Sequence, residues 1–152
     1  MKEQLNEFSF GGLIKILALT NGHFVVAFQN VDKNLTLIIV DRNGTVLNKK
    51  NNLIQNVNFY WLDDIDLMKI NNTIFLYIKF YFYDGTSTSE LKSFDTNLNR
   101  KKEVTLKYDS NIFTAYEANL FNLTNQNGSR ILLIYDSKLQ INKHVGSTSK
   151  KF

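Results

Sequence analysis

The residues of this chain that could do chemistry are few. Asp63, Asp64 and Asp66 form its densest acidic run, and carboxylate oxygens suit hard cations such as calcium or magnesium. Neither the glycine of a sharp EF-hand turn nor a distal glutamate accompanies them, so a solvated turn is the plainer expectation. The same carboxylates could serve glycoside hydrolysis, which needs two acids at a defined separation, but no spacing here fixes one. His23 and His144 are the only imidazoles, and neither lies beside a serine nucleophile in a recognised motif. The chain has no Cys, which excludes disulfides, thiolate-bound zinc, iron–sulfur clusters and thiol catalysis. No P-loop, nucleophile elbow or Rossmann glycine pattern occurs. The expectation is a chain that is not an enzyme and holds no metal and no cofactor.

What remains is aromatic and basic. Phe, Trp and Tyr make up 13% of the residues. Phe80-Tyr81-Phe82-Tyr83 are four aromatics in succession, and a strand must place two on each face, so at least one pair is expected at the surface. Phe80, Tyr81, Phe82, Tyr83 and Trp61 are therefore the candidate partner-binding residues. Such rings could stack on a sugar or a base. Basic groups recur at Lys49-Lys50, Arg100-Lys101-Lys102 and Lys143-His144. Lys+Arg 18 against Asp+Glu 14 leaves a net charge of +4, too mild to demand a nucleic-acid partner. Lysines on an exposed edge strand also discourage edge-to-edge pairing, and that role is expected of these groups.

The elements that must position these residues have an apolar period near two rather than 3.6. Phe24–Phe28 and Leu35–Val40 are short continuous apolar runs, the pattern of strands buried on both faces. Asn43-Gly44 follows the second run and is a strong hairpin signal, because both residues tolerate positive φ. Ile74–Tyr83 is long, aromatic and β-branched, and Tyr83-Asp84-Gly85-Thr86 closes it. Arg130–Tyr135 follows Asn127-Gly128. No long amphipathic helix is legible. Trp61–Met68 is the best helical stretch, yet its aspartates and flanking asparagines favour a turn or a bulged strand. With 43% apolar residues in 152, the chain is expected to bury a core as a single all-β domain.

The segments repeat. Leu19-Thr20-Asn21-Gly22 with Phe24–Phe28 matches Ile70-Asn71-Asn72-Thr73 with Phe75–Ile78 at an offset of about 51. It matches Asn127-Gly128 with Ile131–Ile134 at about 106. Val40-Asp41-Arg42-Asn43 matches Phe94-Asp95-Thr96-Asn97 at about 54. The inner-strand motif Asn21-Gly22-x-x-Val25-Val26-Ala27 and the hairpin Val40-Asp41-x-Asn43-Gly44 resemble a β-propeller blade. No Trp-Asp ending, kelch double glycine or Asp-x-Asp-x-Asp-Gly loop accompanies them, so no named propeller family is indicated. The resemblance implies about three four-stranded antiparallel propeller-like repeats, roughly 13–51, 56–107 and 111–152, with about eleven strands in all. A β-sandwich or barrel is the alternative. The third repeat is expected to lack its last strand, because Gly146–Lys151 is small and polar, and Phe8-Ser9-Phe10 could supply one.

Three such repeats cannot close a ring, since propellers run to four or more blades. The apolar faces of the first and last sheets are then expected to be bare, and bare apolar faces associate. The expected function is non-catalytic protein–protein binding or scaffolding within an assembly, with a protein partner or a second copy. The alternative is a carbohydrate-binding module. No apolar run is long enough to span a bilayer as a helix. Met1–Phe10 carries Glu3 and Glu7 without a continuous apolar core, and Lys15 breaks Leu13–Leu19. No signal peptide is legible, and the sequence leaves the compartment open while leaning towards the cytoplasm.

Overall fold

The computed structural model describes residues 3–4, 12–55, 59–107, 111–126 and 128–147. Among these residues there are twelve strands and no helix. Sheet one contains β1 (Ile14–Ala18), β2 (Phe24–Gln29), β3 (Leu35–Val40) and β4 (Val46–Lys50). Sheet two contains β5 (Phe59–Ile70), β6 (Thr73–Phe82), β7 (Ser87–Phe94) and β8 (Arg100–Leu106). Sheet three contains β9 (Asn111–Tyr116), β10 (Asn119–Gln126), β11 (Ser129–Tyr135) and β12 (Ile141–Ser147). Each sheet is an antiparallel meander whose spatial order follows the chain, and the three do not close into a barrel.

The sheets stack in series because the central strands are apolar on both sides. Val25, Ala27, Leu37 and Ile39 of sheet one meet Ile74, Leu76, Ile78 and Phe80 of sheet two. The opposite face of sheet two presents Phe75, Tyr77 and Leu91 to Phe113, Leu120, Ile131 and Leu133 of sheet three. Alternation along β6 thus feeds two separate cores from one strand. The first strands lie side by side, β1 against β5 and β5 against β9. The last strands β4, β8 and β12 stand at the opposite edges of their sheets.

One turn recurs three times. Between the third and fourth strands of each sheet, an aspartate begins a five-residue loop. Asp41 Oδ1 accepts from the N–H of Asn43 and Thr45 at 2.8 and 2.9 Å. Asp95 Oδ1 accepts from Asn97 and Asn99, both at 2.9 Å. Asp136 Oδ1 accepts from Lys138 and Gln140 at 2.9 and 3.0 Å. The fourth residue has positive φ in every copy: Gly44 at 80°, Leu98 at 62° and Leu139 at 57°. An aspartate caps these loops because its short side chain reaches backbone N–H groups two and four residues ahead. Leu98 and Leu139 tolerate the strained conformation because their side chains are buried. Leu98 packs in the core between sheets one and two, and Leu139 in the core between sheets two and three. Each leucine therefore ties its own sheet to the one before it.

These turns correct the expected period. Asp41, Asp95 and Asp136 are 54 and then 41 residues apart, so the offsets of about 51 and 106 do not reflect an even repeat. Ile131–Ile134 belongs to the third strand of its sheet, not to the second, which the match with Phe24–Phe28 implied. That slip of one strand is why the last strand went missing on paper. β12 is present and pairs with β11 from Arg130↔Ser147 to Tyr135↔Ile141. Trp61–Met68 lies within a strand, bulged between Phe59 and Trp61 and again between Leu62 and Asp64. Phe8-Ser9-Phe10 lies outside the described residues.

Candidate interaction surfaces

Sheet two carries the aromatic cluster because its first hairpin is long. β5 and β6 have 12 and 10 residues, against 5 and 6 for β1 and β2. The aromatics sit at the end of this pair away from the Asn71-Asn72 turn. Parity then sorts the four successive aromatics. Phe80 lies in the core between sheets one and two and is 1% exposed, so it cannot touch a partner. Phe82 packs partly against the same core and meets the Phe80 ring edge-on at 5.5 Å. Tyr81 points to the other side, half-buried, with the Lys79 Nζ 5.7 Å from its ring centre. Tyr83 is 73% exposed, and Trp61 is 55% exposed.

Tyr60, absent from the sequence-derived set, belongs with them. It is exposed, and its ring centre lies 4.8 Å from that of Tyr83. The bulge between Phe59 and Trp61 interrupts the pleat here, which simple alternation could not foretell. The loop that holds Tyr83 is rigidly bonded. Asp84 Oδ1 accepts from the Thr86 hydroxyl at 2.6 Å and the Thr86 N–H at 2.9 Å, and Gly85 takes φ 84°. Those bonds hold the Asp84 carboxyl below the usual carboxylate range, the Thr86 hydroxyl contributing most.

Tyr60, Trp61, Asp63, Tyr81, Phe82, Tyr83 and Gly85 line a cleft of about 310 Å³. A second cleft of about 460 Å³, lined by Gln29 and Lys33 of sheet one among others, shares Tyr60, Trp61 and Asp63 with the first. The aromatic cluster thus borders two recesses. Asp63 Oδ2 is 3.7 Å from Lys79 Nζ, and the Asp66 side chain bonds the Leu67 N–H at 2.9 Å. Among the described residues no three His, Asp or Glu side chains converge as a metal would require.

A different kind of surface covers sheet three. Cross-strand pairing aligns Ile112 with Leu123, Leu123 with Leu132 and Leu132 with Val145. This row crosses all four strands on the side away from sheet two. Ile112 is 67% exposed, and Leu123 and Val145 are exposed too. Phe121 and Ile134 form part of the next row and are half-buried. No strand of sheet three contains Asp or Glu, whereas Arg130 and Lys143 share this side with the apolar row.

The corresponding outward face of sheet one is different, and it corrects the expectation that both ends are bare. Val26, Phe28, Ile38, Val40 and Val46 form a buried cluster there. Ile14 and Ile16 at its inner margin are exposed. The basic groups sit on the outermost strands: Lys49-Lys50 on β4, Arg100-Lys101-Lys102 on β8, and Lys143-His144 on β12. Lys49 pairs with Glu3 at 2.7 Å. Lys92, buried, pairs with Glu90 at 3.3 Å and with Glu103 at 3.1 Å. No family model, curated protein or solved structure matches this chain.

Proposed function

We propose that this chain is a non-catalytic protein-binding subunit, an open array of three propeller-like blades whose outward face on sheet three docks a partner protein. The blade reading is supported by the three meanders in series, the side-by-side first strands and the repeated aspartate turn. The docking reading is carried by one observation, the exposed row Ile112–Leu123–Leu132–Val145. A sheet face of this kind normally gains its stability by being covered, as both faces of sheet two are.

Charge favours a partner of a particular type. The face offers Arg130 and Lys143 around apolar side chains, and the strands beneath it hold no carboxylate. A protein with an apolar centre ringed by Asp or Glu complements it. A second copy docked through the same face would bring like charges together.

A photo-crosslinking residue at Ile112 tests this in cell extract, with one at the exposed loop residue Val31 as control. The expected product joins Ile112, and not Val31, to another protein through a segment flanked by carboxylates. Leu123→Glu should abolish it while the fold persists. A crosslink to a second copy of this chain, or none, overturns the proposal.

A further inference from the structure

We propose that the aromatic cleft at the open end of the β5–β6 hairpin, beside the β6–β7 turn, binds a neutral saccharide. This site is separate from the sheet-three face, and either can fail without the other. The geometry points to the ligand class by elimination and by fit. Tyr60, Trp61 and Tyr83 are exposed at one edge of the molecule, where large apolar rings are costly to leave in water unless they serve contact. Their faces suit the apolar C–H face of a pyranose ring.

The polar groups beside the rings decide against charged ligands. Lys79 already occupies the cation position over Tyr81 at 5.7 Å, so an ammonium ligand would meet a like charge. Asp63 lines the same cleft, and a phosphate or carboxylate would meet its charge. Asp63 and Lys79 lie 3.7 Å apart, with side-chain exposures of 36% and 19%. Asp63 offers a sugar hydroxyl an acceptor in the cleft, and Lys79 beside it balances the carboxylate's charge. A cleft of about 310 Å³ lies at the lower end of small-molecule sites. An extended glycan could continue along Tyr60 and Trp61 into the second recess beside Gln29 and Lys33.

Trp61 is the only Trp in the chain, so its fluorescence reports on this site without labelling. The full chain is titrated with cellotetraose, chitotetraose, maltotetraose, xylotetraose and mannotetraose. At least one should shift the emission saturably, with a Kd of about 1 mM or tighter. Tyr83→Ala should weaken that binding about tenfold or more, whereas Tyr116→Ala on sheet three should leave it unchanged. Should Tyr83→Ala fail to fold, Tyr83→Leu and Asp63→Asn replace it, and each should also weaken binding. The proposal is overturned if no oligosaccharide in the panel shifts the emission. It is equally overturned if a proline-rich peptide or tetramethylammonium does so and the sugars do not, or if sugar affinity survives all of these substitutions.

Discussion

The outward faces of sheets one and three are written in the same alphabet and meet different fates. Sheet one offers Val26, Phe28, Ile38, Val40 and Val46, all five buried, and leaves Ile14, Ile16 and Phe24 of β1 and the start of β2 exposed. Sheet three offers Ile112, Phe121, Leu123, Leu132, Ile134 and Val145, of which three are exposed and three half-buried. Apolar composition therefore does not by itself leave a face open. The fold decides which apolar row stays in contact with water. The turns repeat the contrast. Leu98 and Leu139 reach back to a preceding sheet, whereas among the described residues no sheet precedes that of Gly44.

Truncation tests that contrast most sharply. Phe28→Ala should cost about 3–5 kcal/mol, because it removes a fully buried ring from a packed cluster. Leu123→Ala, on the open face, should cost less than about 1 kcal/mol. Urea denaturation midpoints measure both, and equal losses would erase the distinction between the two ends. Leu98→Gly should cost about 2 kcal/mol. The lost burial of the leucine outweighs the relief of its positive φ. A stabilised Leu98→Gly variant would show that the turn, not the contact between sheets, governs this position.

The carboxylates set a smaller and pH-dependent contrast. Asp95→Ala should cost about 1 kcal/mol, since it leaves the Asn97 and Asn99 N–H groups to water. The Asn99 N–H, with lesser help from its neighbours, holds the Asp95 carboxyl below the usual range. Its contribution is therefore complete above about pH 4 and is lost as pH falls through the lowered pKa. Glu90 works in the opposite direction. Burial holds it above the usual range despite Lys92, so the folded state carries a penalty above that raised pKa. The penalty is relieved as pH falls from there towards about 4.3. Thermal melts across this window should show Glu90→Gln losing that acid-side gain, and Asp95→Ala losing part of the decline that follows. Parallel profiles for both variants and the parent would refute the assignment.

Much of this was legible in the chain. The period near two gave the strands, and Asn43-Gly44 and Asp84-Gly85 gave two turns. The basic groups proved to lie on outer strands. The third repeat was misaligned because Asp136-Ser137-Lys138-Leu139-Gln140 contains neither Gly nor Asn. Its positive φ falls on a leucine held there by tertiary burial, which no local propensity records. Four aromatics in a row showed that two would face each way, but only neighbouring sheets decide that Phe80 is the buried one. Tyr60 was missed because a bulge breaks the alternation beside it. The burial of sheet one's outward face was equally hidden, since a strand's pattern names its apolar side and not what covers it.

Gly44 supplies the smallest test. Its φ of 80° is open to glycine and, at modest cost, to asparagine. Gly44→Ala should cost about 1 kcal/mol, because a Cβ disfavours the left-handed region. Gly44→Asn should cost only a few tenths of that amount. Gly44→Leu imports the residue that sheets two and three use at this position. It should be no better than alanine, because the leucine gains its stability from a preceding sheet and, among the described residues, none precedes sheet one. Differential scanning calorimetry of the three variants would rank them. A Gly44→Leu variant as stable as the parent would mean that the leucine tolerates this turn by itself, and the link between turn and stacking would fall.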